Sequence, residues 1–227
     1  AIRVTAHFVE VENQALTCPG CPCEESEKTN NSPLNDVITT CPSRVISNLL
    51  PKLQWAEEQE KLRVLESTSI LVENGKQGTI EKTTNLSYEV LNKNGETNTR
   101  FAKVGLNIVI LPRITDERST EIVMDMQFST FNLLEFKNDG TITTSHKNIN
   151  ISEKIRDRHS VVVKDLFQNR SVPNAQRLPA SAKNPIIDLY ASKKFQNKQT
   201  QLMVFITPDI QDPVGSKTIK KKFRFSD

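Results

Sequence analysis

Four cysteines are the residues best suited to chemistry in this chain. They are Cys18, Cys21, Cys23 and Cys41, spaced C-x2-C-x-C-x17-C, and the rest of the sequence has none. Four thiolates at this spacing could hold a tetrahedral Zn²⁺ ion, could form two disulfides in an oxidising compartment, or could stay free. Because the intervening residues include prolines and acids, which suit a stapled loop, the sequence favours disulfides.

Other residue types that serve catalysis are scattered along the chain. Asp157, His159 and Ser160 are close in sequence, but neighbouring side chains on a strand point to opposite faces and cannot form a triad. The sequence has no glycine-rich phosphate loop and no pair of histidines at metal-ligand spacing. We therefore predict a protein that is not an enzyme and has no cofactor.

The charge of the chain is concentrated at its end. The 227 residues carry a net charge of +3, yet five basic residues and one acid lie between Lys217 and Asp227, and the remainder holds 25 basic and 26 acidic residues. The near-neutral body argues against nucleic acid as a partner. The longest mostly apolar stretch, Val104–Leu111, is too short for a spanning helix.

Alternating polar and apolar residues predict a mainly β chain with one or two helices. Asn74-Gly75, Asn94-Gly95 and Asp139-Gly140 are turn signals between long strands, so adjacent antiparallel hairpins are expected. In the first strand the apolar phase changes between Phe8 and Val9, which indicates a bulge. Ser43 is the predicted cap of a helix, and Trp55 is expected to pack that helix onto the sheet.

Five segments of the chain, taken in order, are recognisable motifs: a strand ending in Glu-Val, a segment ending at an Asn turn, a Val-Gly strand ending in Pro-Arg-Ile, a proline motif and a final Thr-Pro strand. They lie at Ile2–Val11, Leu62–Asn74, Val104–Ile114, Leu178–Ser192 and Gln201–Pro208. Together they resemble the secretin family, the multimeric outer-membrane channels of bacterial secretion and pilus systems. Glycines of two family motifs are missing, and Val163–Leu166 stands at one of them, so the chain resembles a divergent member.

The resemblance implies a ring of identical chains whose long hairpins together close one β-barrel. It predicts a first strand at residues 1–12, a Cys- and Pro-rich insertion at 13–42, a barrel domain at 43–212 and a basic tail or linker at 213–227. Within the barrel domain we expect a gate hairpin at about residues 78–111 and an outer, membrane-contacting hairpin at about residues 119–151. The candidate gate residues are Leu86, Tyr88, Asn94, Gly95, Arg100 and Gly105. The candidate outer residues are Ile122, Met124, Met126, Phe128, Asp139 and Gly140.

The implied function is a non-catalytic, gated channel in the bacterial outer membrane with a periplasmic face. Its expected partners are further copies of the chain, outer-membrane lipids, a secreted protein or pilus, and a pilotin lipoprotein. A soluble all-β binding or adhesion module with a disulfide-pinned insertion is the alternative. A metal or redox protein that uses the cysteine cluster is a third. The chain begins at Ala1 in a strand-like pattern, without Met or a signal peptide, and is expected to be a mature or excised fragment.

Overall fold

The computed structural model describes residues 1–13, 43–91, 94–115, 120–137, 141–168, 172 and 184–211. The four cysteines, the Asp139-Gly140 turn and the basic tail lie outside these ranges. The predictions made for them therefore stay predictions.

The described residues form nine strands and three helices. The strands are β1 (Ile2–Glu12), β2 (Ser43–Ser47), β3 (Leu62–Val72), β4 (Gly78–Leu91), β5 (Thr97–Ile114), β6 (Glu121–Phe136), β7 (Ile142–Arg156), β8 (His159–Val163) and β9 (Thr200–Ile210). The helices are α1 (Leu49–Glu58), α2 (Pro185–Ala191) and α3 (Lys193–Gln196). The prediction of a mainly β chain with long antiparallel hairpins is confirmed. The hairpin predicted at Asn74-Gly75 is wrong, because β3 pairs with β1 and β4 pairs with β5, so this turn leads from one sheet to the other.

The strands form two sheets, in which all paired neighbours are antiparallel. The five-stranded sheet has the order β2-β8-β9-β1-β3, and the four-stranded sheet has the order β4-β5-β6-β7. Neither order returns to its first strand within the described chain. Both sheets are therefore open, with two edges each.

The main core lies between the two sheets, because alternate residues of the facing strands point into it. These residues are apolar and fully buried in β1, β5 and β6. Examples are Ile2, Val4, Ala6, Phe8, Val104, Leu106, Ile108, Ile110, Ile122, Met124 and Phe128. Their burial removes apolar surface from water and holds the two sheets together.

A second core on the far face of the five-stranded sheet explains the phase change in β1. Helix α1 packs there through Leu49, Leu53 and Ala56, and it covers Val9 and Val11. Both faces of β1 are thus buried near its end. The predicted bulge is confirmed, since the register between β1 and β3 shifts between Phe8 and Val9. Trp55 packs against the same core, as expected.

The predicted start of the first helix was wrong. Ser43–Ser47 is a strand paired with β8, and helix α1 begins only at Leu49, after Asn48 with a φ of 51°. The pairing with β8 is distant in sequence and overrides the local helical pattern. Pro51 consequently lies in the first turn of α1, where its missing N–H costs no intrahelical hydrogen bond.

Candidate functional site

The first candidate site is the hairpin of β4 and β5, which was predicted as the gate. The two strands pair from Gly78↔Ile110 to Leu91↔Thr97. Leu86 is buried in the main core and Tyr88 is half-buried against it, whereas Asn94, Gly95 and Arg100 are exposed near the turn. The side chains of this hairpin thus change from buried to solvated toward its turn.

Gly105 sets how closely β5 approaches β4. Its φ is +140°, and a Cβ at this position would lie 2.1 Å from the Lys82 carbonyl oxygen and 2.6 Å from Thr83 Cα. No other residue type has both the conformational freedom and the small volume that this contact requires. Gly105 is therefore a structural requirement of the hairpin.

The second candidate site is the hairpin of β6 and β7, which was predicted as the membrane-contacting element. The structure places its four apolar residues Ile122, Met124, Met126 and Phe128 in the core, with exposed fractions of 0 to 2%. They face the five-stranded sheet rather than the surface of the chain. Any contact with lipid must use the opposite face of these strands.

The two hairpins are halves of a single sheet. Residues Gly105–Ile114 of β5 pair with residues Ile122–Phe131 of β6. Between Gly105 and the turn at residues 94 and 95, β5 pairs with β4 and has no other partner among the described strands. The hairpins predicted for the gate and for the outer wall are thus neighbours in one sheet. Only the end of the β4–β5 hairpin near residues 94 and 95 can act as a separate gate, and that role stays a prediction.

Both edges of the four-stranded sheet are long and open. Strand β4 has 14 residues and β7 has 15, and each pairs on one side only among the described strands. The sheet has four strands and each is antiparallel to the next, so the two edge strands β4 and β7 run in opposite directions. An open edge exposes a row of unpaired N–H and C=O groups that can pair with another chain.

The face of this sheet that points away from the core is mostly polar. Charged side chains pair across the strands: Lys103 with Glu81 at 2.7 Å, Lys154 with Glu121 at 2.5 Å, and Arg113 with Asp125. Near the turns the same face carries Phe101, with 69% of its surface exposed. Polar cross-strand pairs of this kind suit a water-facing wall.

One contact joins the two sheets directly, and two join helix α2 to the four-stranded sheet. Lys82 on β4 forms an ion pair with Glu66 on β3, and Asn184 Nδ2 donates to Thr84 Oγ1 at 2.9 Å. The Tyr190 hydroxyl accepts a hydrogen bond from the Leu133 N–H at 3.0 Å. None of these residues was singled out from the sequence, although Asn184 followed by Pro185 is a recognisable helix start.

A buried carboxylate holds the α2–α3 segment against the five-stranded sheet. Glu10 Oε1 accepts hydrogen bonds at 2.6 Å from the hydroxyls of Ser192 and Thr200, and Glu10 Oε2 accepts one at 2.8 Å from Arg63 Nη2. Glu10 is 4% exposed, so its charge is stabilised by these donors. The cluster is structural, since its partners occupy both carboxylate oxygens.

Comparison with known proteins identifies the family. Residues 55–212 match the family model of secretins, described as bacterial type II and III secretion system proteins. The chain belongs to the secretin family. The expectation drawn from the five sequence segments is thereby confirmed.

Two relatives match this chain at low sequence identity. Competence protein E of Haemophilus influenzae is 21% identical over 195 residues, which cover 80% of this chain and 43% of that protein. Fimbrial assembly protein PilQ of Pseudomonas aeruginosa is 19% identical over 173 residues, which cover 74% of this chain and 24% of that protein. This secretin chain thus spans less than half of either relative.

Solved secretin structures are also similar to the chain. The type IV competence pilus secretin PilQ of V. cholerae is 13% identical, with a TM-score of 0.41 and coverage of 93% of this chain and 61% of that one. The Salmonella injectisome secretin InvG is 10% identical, with the same TM-score and coverage of 99% and 71%.

Two further properties of the described residues concern membranes and metals. No helix among them is both long and apolar enough to cross a bilayer. They contain no group of three or more His, Cys, Asp or Glu residues placed to hold a metal ion. The cysteine cluster lies outside the described ranges, so its chemistry stays a prediction for this secretin.

Proposed function

We propose that this chain is a subunit of a homo-oligomeric, gated channel in the bacterial outer membrane, and that it has no catalytic activity. Membership of the secretin family supports this function. The open edges of the four-stranded sheet are the structural observation that carries it.

The number of strands explains how such a ring closes. Since β4 and β7 run in opposite directions, β7 of a neighbouring copy pairs antiparallel with β4, and the pattern repeats around a ring. The resulting barrel has no free edge, so every backbone polar group of its strands is satisfied, as a wall in contact with lipid requires. A cyclic head-to-tail interface of this type generates closed rings.

The five-stranded sheet is proposed as the inner layer. Its edges β2 and β3 run in the same direction, because the sheet has an odd number of antiparallel strands. Strand β2 has only five residues against eleven in β3. Pairing between neighbours would be parallel and short, which is less stable than the antiparallel wall.

The gate is proposed for the end of the β4–β5 hairpin around Asn94, Gly95 and Arg100. This end extends past the part of β5 that pairs with β6, and its described residues are exposed. A two-stranded end with polar side chains can move without disturbing the core.

The substrate is proposed to be a pilus or a secreted protein. The two named relatives are a competence protein and a fimbrial assembly protein, which favours a pilus. A pilotin that binds the basic tail is a further proposed partner. A pull-down of a pilotin by the full-length chain, lost on truncation after residue 212, tests that partner.

Cysteine cross-linking tests the ring. In a background with Cys18, Cys21, Cys23 and Cys41 replaced by Ser, Ser87→Cys on β4 is combined in turn with Asn148→Cys, Asn150→Cys or Ser152→Cys on β7. All four positions are on the face of the sheet that points away from the core. At the matching register we expect a ladder of cross-linked multimers on non-reducing gels of detergent-extracted protein.

The controls separate ring closure from random collision. Each single cysteine variant, and Ser69→Cys on β3 combined with Asn150→Cys, should give no ladder. A chain that stays monomeric and soluble without detergent would support the alternative of a soluble binding module.

A further inference from the structure

An aromatic and basic patch lies on the outward face of the four-stranded sheet. It consists of Phe101 and Lys103 on β5, Phe131 on β6 and His146 on β7, and we call it the aromatic patch. The rings of Phe131 and His146 stack with centroids 4.7 Å apart and an interplanar angle of 18°. Lys103 Nζ lies 5.0 Å from the centroid of the Phe131 ring.

The aromatic patch contains the most exposed large apolar side chain of the described residues. Phe101 has 69% of its surface exposed, and the others of this class are Leu71 at 66% and Leu50 at 57%. Both leucines belong to the other half of the molecule, on β3 and α1. Toward the opposite end of the same face, the Arg113–Asp125 and Lys154–Glu121 pairs flank Val109, Leu111 and Val123, which are only half-buried.

Ring closure would leave this patch uncovered. Phe101, Lys103 and Phe131 are on the central strands β5 and β6, and His146 is on the edge strand β7. A neighbouring subunit pairs with the backbone edges of β4 and β7, which leaves the outward face of these strands free. The five-stranded sheet covers the other face. The rings therefore point outward from the wall of the assembled barrel.

We propose that the aromatic patch is the surface by which each subunit enters the interfacial zone of a lipid bilayer. This inference rests on the proposed channel function. Aromatic rings are favoured at the boundary between headgroups and acyl chains. Because Glu81 pairs with Lys103 at 2.7 Å, the exposed rings, and not a net positive charge, carry this contact. Two phenylalanines per chain bind a bilayer weakly on their own. In the oligomer, all copies of the patch lie at the same level along the ring axis, so their binding to one bilayer adds up.

The aromatic patch, and not the apolar residues predicted from the sequence, is the proposed lipid-contacting surface. Ile122, Met124, Met126 and Phe128 are buried in the core. The lipid-contacting side chains are instead on the opposite face and close to the hairpin turns.

Tryptophan quenching tests this surface. Trp55 is the single tryptophan of the chain, so Trp55→Phe provides a silent background for Phe101→Trp. The oligomer is reconstituted into phosphatidylcholine–phosphatidylglycerol vesicles with or without brominated acyl chains. We expect about a twofold loss of emission for the Phe101→Trp variant, because its indole reaches the boundary of the acyl chains.

Leu71→Trp is the matched control, since it replaces an equally exposed apolar residue on β3. Its emission should not change with bromination. Equal quenching of both variants, or no quenching of the Phe101→Trp variant, overturns the proposal. A blue-shifted but unquenched Phe101→Trp indole shows that protein covers the patch, and this also overturns it.

The oligomeric state of the same samples is read by native electrophoresis. A ring without quenching rejects the lipid-contacting patch and leaves the channel function in place. The absence of a ring rejects the channel function itself.

Discussion

At the residue scale, left-handed backbone conformations explain how a chain with seven glycines builds its turns. Five non-glycine residues of the described chain have positive φ: Asn48, Glu60, Arg158, Asp165 and Lys198. Asp165, with a φ of 57°, lies in the segment where the family motif carries glycines. Asn and Asp tolerate this conformation better than most residues. The turn at Asp165 is therefore built without a glycine.

Gly105 cannot be replaced in this way. We expect Gly105→Ala to lower the free energy of unfolding by about 3 kcal/mol or more, because strained φ and a backbone clash add together. Gly95→Ala is the control: Gly95 has a φ of +79° but no atom within 4 Å of a Cβ. Its cost should be only about 1 kcal/mol. Urea denaturation of the purified chain followed by circular dichroism measures both, and equal costs would refute the close contact with Lys82.

His7 makes the stability of the five-stranded sheet depend on pH. Its side chain is buried, with Nδ1 2.7 Å from Ser67 Oγ, and burial lowers the pKa of this imidazole. The unfolded chain therefore binds a proton more readily than the folded one. The stabilisation is complete above a pH of about 6.5 and is lost as the pH falls through the folded-state pKa.

Replacement of His7 tests this dependence. Between pH values of about 7 and 5, the urea midpoint should fall less for His7→Gln than for the unaltered chain. Asn148→Gln, at an exposed position on β7 without a titratable side chain, should leave the fall unchanged. An identical pH profile for His7→Gln would show that the burial of His7 has no effect on stability.

At the element scale, Tyr190 fixes the short helix α2 to the four-stranded sheet. The hydroxyl of Tyr190 accepts the N–H of Leu133 next to the register shift in β6, and its ring makes edge contacts with Phe167 and Phe195. Tyr190→Phe keeps the ring contacts and leaves a buried N–H without its acceptor. We expect a loss of about 1–3 kcal/mol. Tyr88→Phe, on the half-buried face of β4, is the matched control, and an equal loss there would contradict this role of the hydroxyl.

The elements differ in how far the sequence determines them. The β4–β5 hairpin follows from local signals, since Asn94-Gly95 separates two strands with clear alternation. The same signal at Asn74-Gly75 misled, because β3 and β4 belong to different sheets. Strand β2 does not, because its pairing with β8 joins residues more than a hundred positions apart and competes with a local helical pattern. The contacts of Glu10 with Ser192 and Thr200 are equally distant and have no local signal. The alternation in β6 predicted that one face of the strand is apolar. It did not predict that this face packs against the five-stranded sheet rather than lipid.

At the scale of the whole molecule, two stacked sheets give a subunit with a closed interior and open sides. The core between the sheets is complete within one chain. The backbone edges β4 and β7 are not paired in the described chain, and they are proposed to pair between neighbours. Folding of the subunit and closure of the ring can therefore be separate steps.

The central claim is that neighbouring four-stranded sheets join through β4 and β7 into one continuous antiparallel barrel. An electron cryo-microscopy map of the detergent-extracted oligomer, at a resolution that traces individual strands, tests it most directly. We expect a closed ring in which β4 of each subunit lies beside β7 of the next, with the five-stranded sheets inside. Subunits whose four-stranded sheets stay separate, or a ring joined through β2 and β3, would contradict the claim.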